Sequence, residues 1–317
     1  MPNNPLSVIV LGYTRFAETT GPCLASLAAD PDFPSWDVIL VDNGTDEQIR
    51  ALSVQAAVAY PTLKLLRLDQ NAGFAGGMNA GLRMAQGDPI ILLNSDLLVP
   101  PGMIGRLADA LRNHPRAGLI SPVTNAAGNE QQIFIDPAAD VMQQGRAFAD
   151  AGEDGCVSAY RLDFCCVGLS RKAYETVGGL DEGFGPGYYE DFDYSLRVRQ
   201  AGLDLLVAEN AFVYHEGGGS FGRVSREKKA LMARNRRLFL ERHGRDTSIP
   251  NRRETNLAVL TQYVEAAQAG RAPPAYRVAN RLRLAETDVP KGPWKRWRYR
   301  RKVAAVARRL RAAGCAV

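Results

Sequence analysis

Short, continuous apolar runs alternate with longer stretches of mixed pattern through the first half of the chain. SVIVLG (7–12), DVILVD (37–42), LKLLRLD (63–69) and PIILLNSD (89–96) carry apolar residues at successive positions instead of every second one. That is the signature of strands covered on both faces. Between them, residues 16–29, 46–59 and 74–86 read as helices, the first with Pro22 near its start and the second opened by acidic residues. PPGMIGRLADALRNHP adds a helix with proline at its entry and a stop at Pro115. A βαβα rhythm predicts a mostly parallel sheet in a three-layer α/β/α sandwich, and ligands in such sheets sit at the carboxyl ends of the strands. Asp42, Asn71, Asn94 and Asp96 close strands or directly follow them.

From about 116 to 170 the rhythm loosens into strand-like pieces, AGLISPV, QQIFI and DFCCVGLS, among Gly- and Asp-rich loops. Glu190–Gln200 reads as a helix, LDLLVAE (203–209) as a strand, and AFVYHEGGGSFG as a strand running into a glycine loop. Residues 226–243 and 254–268 are helical, and the tail suits a helix from Arg300 to Ala313 with Val303, Val306, Ala307 and Leu310 on one side. The expected division is an α/β domain over 1–225, in two halves that meet at about 115. A helical C-terminal region then covers 226–317.

Composition refines this picture in two ways. The chain of 317 residues has 39 Lys+Arg against 34 Asp+Glu, but residues 291–317 hold ten of the bases and no acid, so residues 1–290 carry a net charge of −5. In the tail those bases interleave with Trp294, Trp297 and Tyr299, which suits an anionic membrane surface; a solvated or oligomer-forming tail is the competing reading. No nucleic-acid partner is expected, because the acidic body would repel phosphate backbones. The five cysteines lack paired metal-ligand spacing, and adjacent Cys165 and Cys166 read as small apolar fillers of a buried strand. With no basic n-region and no apolar run long enough to span a bilayer, the expected location is the cytoplasm, with peripheral attachment to the inner face of the membrane.

Four clusters carry candidate chemistry. VDNGTDE (41–47) puts Asp42 at a strand end, where, taken alone, an Asx-turn or helix cap is the better explanation. NAGFAGGMNAG (71–81) concentrates Gly73, Gly76, Gly77 and Gly81, suiting close approach to a ligand or tight helix–sheet packing; it lacks the GxGxxG spacing of a dinucleotide site. Asn94-Ser95-Asp96 can hold a hard divalent cation or simply end a strand. YYEDFD (188–193) brings three carboxylates to a helix start, where the dipole favours them, with Glu190 and Asp193 on one face and Asp191 elsewhere. His215, between a strand and glycines, could ligate a metal.

In this order, the motifs resemble the inverting family 2 glycosyltransferases of GT-A fold, and further matches run through residues 5–243: SVIVLGY, VDNGTDE, NAGFAGGMNAG, VGLSRKAYETVGGLDEGF and ARNRRLF. The rhamnosyltransferase-like branch is most similar, although its usual Asn-Pro-Asp is Asn-Ser-Asp here, and Tyr13 is followed by Thr14 where Asn is usual. The resemblance implies transfer of a sugar, rhamnose or another hexose, from a UDP, dTDP or GDP donor to a glycan or lipid-linked acceptor of cell-surface polysaccharide synthesis. It implies Mg²⁺ or Mn²⁺ held by Asp96 with His215, and Asp191 as general base. Asp42 would read the base, Asn71, Gly73 and Asn94 would lie along the nucleoside, Arg234 would meet the diphosphate, and Glu190 and Asp193 would orient acceptor or donor. A non-catalytic sugar-nucleotide binder of the same fold is the alternative.

Overall fold

Four parallel strands, β1 (Ser7–Gly12), β2 (Asp37–Asp42), β3 (Leu63–Arg67) and β4 (Ile90–Asn94), form one flank of the sheet in the order β3-β2-β1-β4. Helices α1 (Thr20–Ala28), α2 (Glu47–Ala59) and α3 (Gly73–Met84) make the crossovers. Val8–Val10, Val38–Val41 and Ile90–Leu93 are buried throughout, as their unbroken apolar runs require. Gly12 pairs with Asp42 and Leu11 with Asn94, and this register lines up the polar strand ends along one edge of the sheet. The computed structural model describes residues 5–153, 155–217, 226–244 and 249–317.

The second flank continues through β5 (Leu97–Leu98), α4 (Met103–Asn113), β6 (Ala117–Thr124), α5 (Val141–Ala149), β7 (Cys156–Ser158), β8 (Cys166–Leu169), α6 (Arg171–Val177), α7 (Glu190–Gln200) and β9 (Asp204–His215). β8 inserts antiparallel between β4 and β6, β6 runs parallel to β9, and β5 and β7 pair antiparallel with β9. The sheet is mixed but mostly parallel, as the apolar runs predict. Two details differ from the sequence reading. The pieces at 203–209 and 211–215 are one strand, interrupted by a bulge where Pro122 pairs with Ala208 and Val123 with Phe212. QQIFI contributes a single bridge, Thr124 to Gln132. The Gln131 amide there takes the place of a ladder, donating to Asp163 O at 3.1 Å and accepting from Asp163 N at 2.6 Å.

Four helices complete the chain: α8 (Arg226–His243), α9 (Arg252–Gln268), α10 (Ala275–Thr287) and α11 (Pro293–Ala312). Asn251 and Glu254 close a capping box at the start of α9. α10 escapes a hydrophobic reading because its buried face includes Arg277 and Arg281, which break the apolar stripe. Arg281 lies 2.8 Å from Glu209 of β9, and the Tyr263 hydroxyl of α9 donates to the same carboxylate at 2.6 Å. Arg277 donates to the carbonyls of Phe148, Ala149 and Gly152. Every buried charge in this cluster has partners, the condition under which burial is tolerable. α11 starts at Pro293, before the expected Arg300, and buries Tyr299, Val303, Val306 and Leu310. Among the described residues, no helix is long and apolar enough to cross a membrane.

Candidate active site

At the edge where the strands end, Asp42 is 2% exposed. Its Oδ1 accepts from Thr45 N at 3.1 Å, so the turn reading is correct for one oxygen. Its Oδ2 is buried without a hydrogen-bond partner, an acceptor left unsatisfied at this end of the sheet. Asn43, which the sequence reading passed over, ties the glycine loop beside it. Its Nδ2 donates to Asn71 Oδ1 at 3.2 Å and Gly73 O at 3.1 Å, and its Oδ1 accepts from Ala72 N at 2.9 Å. Gly73 is left-handed (φ +72°), and a β-carbon there would stand 2.5 Å from the Gly185 carbonyl oxygen. The glycine is therefore required by both conformation and close approach. Asn94 closes β4, its N–H donating to Cys165 O at 2.8 Å.

Asp96 and His215 meet at the end of the sheet, Oδ2 to Nε2 3.5 Å. The far nitrogen of His215 faces Ala126 O at 3.1 Å, and its backbone exchanges hydrogen bonds with the Asn125 side chain at 2.7 and 2.9 Å. Such backing fixes the ring with Nε2 toward Asp96. Burial works against charge on His215, but the hydrogen bond and charge of Asp96, with Ala126 O and Asp163, outweigh it and raise its pKa. The glycines at 218–219 beyond it lie outside the described residues.

The acidic helix start is α7. Tyr188 and Tyr189 precede it with φ of +72° and +79°, a conformation non-glycine residues seldom adopt. Asn235 of α8 holds it there: its single amide nitrogen lies 2.8, 2.9 and 2.8 Å from the carbonyl oxygens of Phe184, Gly187 and Tyr188. Beside it, Arg234 donates to Asn235 Oδ1 at 2.9 Å and to the Phe184 and Gly183 carbonyls at 3.4 and 3.3 Å. Because Gly185 also backs Gly73, this guanidinium stands next to the glycine loop. Of the three carboxylates, Asp193 is occupied within the fold, 2.7 Å from both Arg197 and His243, and so pins α8 to α7. Glu190 is buried with Oε2 unpartnered, and burial pushes its pKa up to about 7. Asp191 keeps part of its surface open. Burial, then the charges of Glu190 and Asp163, hold its pKa well above the usual carboxylate range against the opposing pull of Arg161.

Asp163, unremarked in the sequence, joins these groups. It is ion-paired to Arg161 and accepts from Gly128 N at 2.6 Å, while its charge acts on both Asp191 and His215. Arg161 in turn stacks over Phe192, 3.9 Å from the ring centroid. The signal that could have found the pair was two charges flanking Leu162 just before an apolar strand, RLDFCCVGL. Cys165 and Cys166 are free and buried, as expected of fillers, and burial raises both thiol pKa values, that of Cys165 to about 12.

The structure thus sets a carboxylate–imidazole pair and an unpartnered acceptor at the carboxyl end of an α/β sheet, with a high-pKa carboxylate on α7 under the charge of the same Asp163 that acts on the imidazole. A family model described as Glycosyl transferase family 2 matches residues 7–178, more than half of the chain and including Asp42, Gly73, Asn94 and Asp96. The chain belongs to this family. It is a glycosyltransferase. It is 28% identical over 258 residues to N-acetylglucosaminyl-diphospho-decaprenol L-rhamnosyltransferase of Mycobacterium tuberculosis, covering 69% of this chain and 79% of that one. It is 26% identical over 254 residues to a galactofuranosyl glycosyltransferase of Leishmania donovani, covering 65% and 55%. Among solved structures, the transferase resembles GalNAc-T7 with UDP, GalNAc and Mn²⁺ at TM-score 0.59 and 13% identity, over 99% of this chain and 55% of that one. It also resembles the mannosyltransferase PcManGT of Pyrobaculum calidifontis with GDP-Man and Mn²⁺, at TM-score 0.51 and 18% identity, over 98% and 76%. The fold is GT-A-like, as the motifs imply.

Proposed function

We propose that the transferase moves a hexosyl group, rhamnose or another, from a UDP, dTDP or GDP donor to a glycan or lipid-linked acceptor of cell-surface polysaccharide synthesis, with inversion. The observation that supports this reading is the pairing of Asp96 with His215 at the carboxyl end of the sheet, with the charge of Asp163 acting on both His215 and Asp191. Asp96 and His215 would hold Mg²⁺ or Mn²⁺; the carboxylate oxygen suits such a hard ion, and diphosphate oxygens and water would fill most of the remaining positions. Among the described residues, no group of three His, Cys, Asp or Glu side chains could hold it alone. When bound, the cation supplies Lewis-acid stabilisation of the departing diphosphate.

The chain's own groups do the remainder. Asp42 Oδ2 accepts from the nucleobase, and Asn71, Gly73 and Asn94 line the nucleoside. Arg234 neutralises diphosphate charge. Asp191 takes the acceptor hydroxyl proton as that oxygen bonds to the anomeric carbon and the bond to diphosphate breaks. Its high pKa makes it a stronger base than an ordinary carboxylate. Glu190 orients the acceptor, and Asp193 acts at one remove by fixing the helix that carries Arg234. Thermal-shift titration with UDP-, dTDP- and GDP-sugars, each with and without Mn²⁺, tests the reading. A Mn²⁺-dependent rise with one nucleotide class is expected. No rise with any class would point to a protein of this fold that does not use such donors.

A further inference from the structure

α11 has two faces. Tyr299, Val303, Val306 and Leu310, at spacings of four, three and four, are buried in the packing of α11 on α9 and α10. Of the three aromatics that interleave with the bases, Tyr299 is therefore turned inward and only Trp294 and Trp297 remain outside. On the opposite side of the helix, Trp294, Trp297, Arg301, Ala304 and Arg308 recur at spacings of three, four, three and four, and all are exposed. Trp294 is 65% and Trp297 47% exposed, large values for indoles. Their rings stack on each other at 4.9 Å, and the Arg301 guanidinium lies 4.8 Å from the Trp297 centroid. All ten Lys and Arg side chains of residues 291–317 are exposed, and among the described residues none forms an ion pair.

We infer that this outward face docks the protein on an anionic lipid bilayer, flat on the headgroups and without helix insertion. Indole rings favour the water–hydrocarbon boundary, and each unpaired base near an anionic surface adds attraction. The helix offers both on one face and brings no acid to oppose them. The inference does not depend on the donor or the reaction, because binding alone reads it.

The test is co-sedimentation of the full chain with phosphatidylcholine vesicles, with and without roughly a third phosphatidylglycerol, alongside tryptophan emission. Binding is expected only to the anionic vesicles, with a blue shift, and weakening as salt rises from about 0.05 to about 0.5 M. Trp294→Ala with Trp297→Ala, and separately Arg301→Glu with Arg308→Glu, should each lower partitioning by roughly tenfold or more. All four side chains are exposed, so the far-UV circular dichroism should not change. Absent or lipid-independent sedimentation, or full binding by both variants, overturns the inference. A dimer that the tryptophan substitutions dissociate, or a nucleic-acid duplex that displaces the vesicles, would assign the face to another partner and overturn it equally.

Discussion

His215 and Asp96 are 3.5 Å apart because Leu97, the residue after Asp96, is the register partner of His215 between β5 and β9. A two-residue strand, Leu97–Leu98, thus places a carboxylate opposite an imidazole 119 positions away in the chain. Asp96→Ala should leave the fold intact and abolish the Mn²⁺-dependent part of donor binding. Calorimetric titration of donor with and without Mn²⁺ checks it; an unchanged metal dependence would remove Asp96 from the ligand set.

Asp191→Asn should bind donor normally and lose transfer by about a hundredfold to ten-thousandfold, the usual worth of a general base. In the parent enzyme, kcat/KM should fall as pH drops through the raised pKa of Asp191, a midpoint above the ordinary carboxylate range. A profile flat down to the pKa of an exposed aspartate would dismiss Asp191 as the base.

Glu190 has a folded-state pKa of about 7, raised by burial from an ordinary glutamate value. A raised folded pKa means that the stabilising contribution is complete below the unfolded pKa and lost as pH climbs through the folded one. Glu190→Gln should therefore gain stability relative to wild type as pH rises from about 4.5 to about 7, on the order of 1–3 kcal/mol. Below that window the difference should be pH-independent. Thermal midpoints across the range measure it.

Asn235 has one amide nitrogen serving three carbonyls of the loop that ends in left-handed Tyr188 and Tyr189. Asn235→Ala leaves buried acceptors unsatisfied and should cost about 2–3 kcal/mol. Because the loop also backs Gly73, the donor KM should rise with it. Chemical denaturation and steady-state kinetics together separate this from a purely local defect.

The first flank of the sheet was legible because β1 to β4 are buried on both faces and their polar residues fall only at the strand ends. Asp42, Asn94 and Asp96 were accordingly placed from pattern alone, and α7 begins and ends where its sequence predicted. Other features were hidden for identifiable reasons. Asn43 and Asn235 act by bonding backbone far away in sequence, which leaves no periodic trace. Asp163 gains its place from β8 lying between β4 and β6, an antiparallel insertion that no local pattern announces. α10 buries two arginines where periodicity looks for leucine. Asp193 shares a helix face with Glu190, but only the structure shows its oxygens engaged by Arg197 and His243.

The Glu209 cluster ties the helical region to the strand that carries His215, six residues further along. A chain ending at Pro250 would strip that carboxylate of Tyr263 and Arg281 and strand a bare anion inside β9. The C-terminal helices are thus a foundation of the strand that carries His215, and cutting them away should loosen the imidazole from Asp96 even with the first flank of the sheet intact.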